Sequence, residues 1–104
     1  MVFRIWPTVM FRVGHFFYGG LAMQLTIDVS MYPNREDFIP PIDGFIEKIN
    51  QYSDLKITTF PTSTVVQGDY EHAMQAVQET ILACYKEFGM AVYVVKYIPG
   101  YEAL

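Results

Sequence analysis

The stretch QLTIDVSMY, Gln24 to Tyr32, alternates without a break: Leu25, Ile27, Val29 and Met31 fall on one side, Gln24, Thr26, Asp28, Ser30 and Tyr32 on the other. Period-two alternation of this length predicts a strand with one face on a core and the other open. Pro33 ends the run, and Asn34, Arg35 and Glu36 form a polar loop. The period then changes. Phe38, Ile42, Phe45, Ile49 and Tyr52 recur at intervals of three and four, which predicts a helix with one apolar stripe. Asp37 stands where an N-cap belongs, and Pro40 and Pro41 fall in the first turn, where missing amide donors cost least.

Further along, Leu55 to Phe60 and Thr62 to Gln67 are β-rich runs on either side of Pro61, which predicts a hairpin. Gly68 and Asp69 supply a turn and a helix cap. Tyr70, Ala73, Val77, Ile81, Cys84 and Phe88 then recur at three or four, with Lys86 in the last turn and Gly89 as the stop. Met90 to Ile98 is a last strand, closed by Pro99 and Gly100. The order β-α-β-β-α-β predicts an α+β, ferredoxin-like sandwich: a four-stranded antiparallel sheet with two helices on one face. Asp28, Ser30 and Tyr32 then line the open face. The last strand carries two apolar sets, so both its faces are expected to be covered, the open one by a second subunit or a ligand.

Length and composition agree with one packed domain: 104 residues, 52% hydrophobic and 17% charged. The net charge of −4 argues against nucleic acid as a partner. A single cysteine, Cys84, makes no internal disulfide, so the fold needs no oxidising compartment and a cytoplasmic location is expected. Two histidines, His15 and His72, with that one cysteine argue against a zinc cluster, and no cofactor is implied.

The averages hide an uneven chain. Residues 1–22 hold six aromatics, Arg4 and Arg12 and no acid, whereas residues 23–104 carry five bases against eleven acids, a net of −6. Gly20, Leu21 and Ala22 have the look of a cleavage site, but the longest uncharged run, Val13 to Ile27, is about fifteen residues where a span needs roughly twenty. No membrane role is expected. Residues 1–22 are an aromatic extension, either packed on protein or preceding a natural start at Met23, and 23–104 form the domain.

Motifs for covalent chemistry are missing. Cys84 falls on a helix stripe as a small core residue, His72 in a first helical turn, and no nucleophile elbow, P-loop or dinucleotide fingerprint occurs. The acids Glu36, Asp37, Asp43 and Glu47 read as a solvated helix face. Arg35 could hold a phosphate in an enzyme on this fold, yet it lacks the glycine-rich cradle such a site uses. Two stretches look instead like a ligand site: residues 30–42, SMYPNREDFIPPI, and residues 62–74, TSTVVQGDYEHAM. Aromatics beside hydroxyls and a carboxylate suit a flat heteroaromatic ligand, whose ring stacks while its nitrogens and amino group are hydrogen-bonded.

On those two stretches the chain resembles the YkoF-like thiamine/hydroxymethylpyrimidine-binding family. In that family a strand ending S-x-Y-P is followed by D-F-I and a helix, and a later strand reads S-T-x-V-x-G. Here these are Ser30, Tyr32 and Pro33, then Asp37, Phe38 and Ile39, and later Ser63, Thr64 and Val66 read through Gln67 into Gly68, with Val65 and Val66 both following Thr64. Ile98, Pro99 and Gly100 match the family's end of the last strand. The likeness covers residues 23–104. It implies a non-enzymatic domain that binds thiamine or its hydroxymethylpyrimidine moiety in thiamine salvage or transport support, as a homodimer or homotetramer. It implies Ser30, Tyr32, Asp37, Phe38, Ser63 and Thr64 as ligand-binding residues. Asp28 is outside the motif and is added because a mid-strand carboxylate on the open face could meet a thiazolium or an aminopyrimidine. The competing expectation is a structural or regulatory association module with no ligand.

Overall fold

Strand β1 (Gln24–Pro33) is the axis of the fold, because its alternation commits one row of side chains to a core. Leu25 and Ile27 are wholly buried and Val29 is nearly so. The computed structural model describes residues 23–104. After β1 follow α1 (Ile39–Ile49), β2 (Lys56–Thr59), β3 (Thr64–Asp69), α2 (Tyr70–Phe88) and β4 (Ala91–Pro99). The sheet order is β2-β3-β1-β4 and every neighbouring pair is antiparallel. This is the expected α+β ferredoxin-like βαββαβ sandwich. The division into residues 1–22 and 23–104 involves a segment outside the described residues.

Registers fix which side chains share a face. Ile27 lies opposite Val66, and Val66 opposite Ile57, so the core row crosses the sheet from β1 to β2. Phe45 and Ile49 of α1 and Ala73, Ala76, Val77 and Cys84 of α2 close over that row. The two helices meet at Gly44: a Cβ there would stand 2.4 Å from the Phe88 ring, so the ring occupies the space of the missing side chain. Lys48 reaches from α1 to Glu87 at 2.7 Å and lies over the Phe88 ring.

The open face has two parts. Val92 and Val94 of β4 are about half exposed, so the described chain leaves this edge strand uncovered on that side. At the other end the C-terminal tail covers the sheet. Gly100, at φ 78°, turns the chain back, and its amide donates to the Gln24 carbonyl at 2.7 Å. Thr26 donates its hydroxyl to the Tyr101 carbonyl and accepts from the Ala103 amide, and the Leu104 amide donates to Gln67 Oε1 at 2.6 Å. Thr26 and Gln67 face each other across β1 and β3 and are both 2% exposed, so the tail satisfies two polar groups that it also buries.

Helix α2 begins and ends as its sequence predicts. The Asp69 carboxylate accepts from the His72 amide at 3.2 Å, and Gly89, at φ 88°, ends the helix. Helix α1 does not. Its N-cap is Phe38, with no side-chain cap, rather than Asp37. A capping side chain bonds the amide of the second or third helical residue. With the helix starting at Ile39, those residues are Pro40 and Pro41, which have no amide hydrogen to offer. The Phe38 position therefore carries no side-chain cap, and Asp37 lies one residue before it. Accordingly, Asp69→Ala should cost about 1 kcal/mol in chemical unfolding of the full chain. Asp37→Ala should stay within about 0.5 kcal/mol of the parent.

Candidate functional site

The β2–β3 hairpin turns through Pro61 and Thr62, with the Phe60 amide donating to the Ser63 carbonyl at 2.7 Å to close it. Proline suits the first turn position because its φ is already set. Ser30 Oγ then donates to the Thr62 carbonyl at 3.0 Å, tying the turn to the end of β1. Residues 30–39 and 62–64, widely separated in sequence, therefore meet in space.

Between them opens a cavity of about 150 Å³ on the helix-facing side of the sheet. Val29 and Met31 of β1 and Thr59 and Thr64 of the hairpin form its floor, Ile42, Phe45 and Ile46 of α1 its wall, and Phe60 to Ser63 its rim. Thr64 is 4% exposed, and its hydroxyl lies 3.3 Å from that of the exposed Thr59, so the two hydroxyls run from the buried floor of the cavity to its mouth. An outer recess of about 370 Å³ adjoins it, sharing Met31, Ile42, Pro61 and Thr62. Tyr32, Pro33, Arg35 and Phe38 line its outer part, and Tyr32 and Phe38 are at least half exposed. An apolar cavity of about 150 Å³ accepts one six-membered ring. The recess has room for a second group, and since the register turns the Tyr32 side chain to the open face of the sheet, Phe38 is the aromatic available to stack it.

The seven residues expected from sequence divide among five positions. Ser63 and Thr64 line the inner cavity, and Tyr32 and Phe38 line the recess. Ser30 acts on the site through the turn it holds. Asp37 lies outside both hollows, exposed, with its carboxylate 3.7 Å from the Arg35 guanidinium. Asp28 is on the opposite face of the sheet, where its Oδ1 is buried without a hydrogen-bond partner among the described residues. The lining from α1, Ile42, Phe45 and Ile46, was missed because an apolar helix stripe reads as core. Thr59 was missed because a threonine in a strand reads as a strand former. The signal for Thr59 was its symmetry with Thr64 about the Pro61 turn.

The lining of both hollows includes no cysteine, histidine or carboxylate. Cys84 is buried elsewhere in the core, and burial pushes its thiol above the ordinary range, away from nucleophilic use. Among the described residues no helix is long and apolar enough to cross a membrane.

No family model and no curated protein matches the chain. Among solved structures it is similar to a Thermotoga maritima protein provisionally assigned to thiamine biosynthesis or salvage. The two are 27% identical with a TM-score of 0.66, over 77% of this chain and 85% of that one. The chain shares the fold of that protein. A Streptococcus pneumoniae protein, 22% identical with a TM-score of 0.66 over 73% of this chain and 86% of that one, has the same fold. So does a Bacillus cereus domain of unknown function 77, 19% identical with a TM-score of 0.62 over 74% of this chain and 76% of that one.

If Ser30 holds the turn, Ser30→Ala should speed amide exchange at Phe60 while global stability falls by no more than about 1.5 kcal/mol. Unchanged exchange at Phe60 would show that the turn holds itself.

Proposed function

We propose that this protein binds thiamine or its hydroxymethylpyrimidine moiety without transforming it, in thiamine salvage or transport support, as a member of the YkoF-like type. The observation that carries the reading is a ring-sized cavity with hydroxyls and apolar walls beside the 59–64 hairpin, opening into a recess lined by residues of the 30–39 segment. A pyrimidine presents nitrogens that accept and an amino group that donates. Ser63, Thr64 and Thr59 hydroxyls can do both. The apolar wall from α1 gives the ring its contact area. The likeness to the Thermotoga maritima protein supports thiamine chemistry as the ligand class. A role in binding alone is supported by a lining that offers no pair of nucleophile and base.

The reading extends to assembly, as a homodimer or homotetramer through the open face. Tyr32, Val92, Val94 and Ile98 are each more than 40% exposed there, and the registers place all four on the same side of β1 and β4. Apolar surface of this kind is covered by a partner when it is contiguous. The buried Asp28 oxygen lies on that same side, beside Lys96 across β4. The same surface favours the second reading, an association module with no ligand.

Thermal unfolding with and without ligand separates the two. Thiamine or hydroxymethylpyrimidine should raise the Tm progressively with concentration, because a ligand of the native state stabilises it by mass action. Thr64→Val, which keeps the side chain's shape and removes its hydroxyl, should weaken binding about tenfold. Asp28→Asn, on the opposite face, should leave affinity unchanged. No shift at millimolar ligand would leave the association module as the reading. Val94→Lys should lower the molecular mass measured by light scattering at a fixed protein concentration, since it places a charge in the proposed interface.

A further inference from the structure

The charge of the recess selects among ligands that the cavity alone would accept. Across both hollows Arg35 is the single charged side chain in the lining, and no carboxylate joins it. A ring seated in the inner cavity directs its substituent toward the recess that shares Met31, Ile42, Pro61 and Thr62 with it. A cationic substituent arriving there meets a guanidinium. An anionic one meets its natural partner, since the planar fork of arginine bonds two oxygens of a phosphate at once.

The geometry points to a phosphomonoester of the hydroxymethylpyrimidine, its ring in the inner cavity and its phosphate on Arg35, as the preferred ligand of this site. The inference rests on the pyrimidine-binding reading above and narrows it away from thiamine itself, whose thiazolium is a permanent cation.

Three observations bear on its strength. The first is the whole-domain charge of −6 over residues 23–104, which opposes an anion. Charges more than about 8 Å away are screened at physiological salt, so the side chain touching the phosphate decides. The second is Asp37, whose carboxylate is 3.7 Å from Arg35 and competes for it. That pair is loose and exposed, and a dianionic phosphate with three oxygens is the stronger partner. The third is the start of α1. A helix N-terminus normally offers several amides to an anion, but Pro40 and Pro41 remove two of them. Recognition of the phosphate then depends on Arg35 rather than on backbone.

Isothermal titration of the full chain with three probes tests this: hydroxymethylpyrimidine, its phosphate ester, and thiamine. The phosphate ester should bind about tenfold more tightly than the free alcohol, the scale of one charge-assisted contact. That advantage should shrink as salt rises from 50 to 500 mM, and Arg35→Gln should abolish it. Asp37→Asn should enlarge it by releasing Arg35. Equal affinity for alcohol and ester, or tighter binding of thiamine than of the ester, overturns this inference and leaves the pyrimidine reading standing. Failure of all three probes to bind overturns both.

Discussion

Everything in this fold depends on the double commitment of β1. It is hydrogen-bonded to β3 on one edge and to β4 on the other, so its registers are set from both sides. Each residue therefore has a fixed parity, and a slip by one position would turn Leu25, Ile27 and Val29 out of the core and bring Asp28 in. Burying a carboxylate there without a partner costs far more than any loop could recover. The register of β1 also carries Met31 and Val29 to the helix side at the end of the strand, which is where the cavity floor lies. The site is in this sense an extension of the core row, past the point where the core residues fill the space between sheet and α1.

The sequence was most legible where an element's own neighbours decide it. The alternation of β1, the stripe of α2 and its Asp69 and Gly89 ends depend on residues within a few positions, and all appear as read. Asp37 as a cap was also a local reading, but it treated the prolines only as tolerated residues. The helix begins one residue later than that reading, so Asp37 precedes the cap position and Phe38 occupies it. For the site, adjacency of two distant segments could be anticipated from motif order, whereas the division of Ser30 and Asp28 from Ser63 and Thr64 could not be used until the registers showed which face the cavity occupies.

The C-terminal tail shows the opposite limit. GYEAL has no periodicity and no apolar stripe, so nothing local announces that residues 100–104 lie on the sheet. The cause is tertiary: Thr26 and Gln67 are paired across β1 and β3 on the open face, and the tail's backbone meets the hydrogen-bonding needs of both. A threonine at an even position of β1 read only as the polar side of the alternation. Its near-complete burial changes the open face from one uniform surface into two parts, a polar end closed by the chain itself and an apolar end along β4 left exposed. Any second copy on this face must dock beside the tail rather than across it.

The same kind of division governs the candidate site. Its inner part is built on regular elements, Thr59 and Thr64 on the hairpin strands and Ile42 and Phe45 on α1, of which Phe45 belongs to the core. Its outer part is built from the loop after β1, where Arg35 and Phe38 are exposed and held by little beyond Asp37 and the turn into α1. In the proposed reading, a cavity set by packing and a rim of exposed loop side chains would separate two tasks, the fit of the ring and the charge of its substituent. The prolines that open α1 link the two parts. They fix the direction in which the loop enters the helix and, by removing amides, leave the character of the rim to side chains rather than to the backbone.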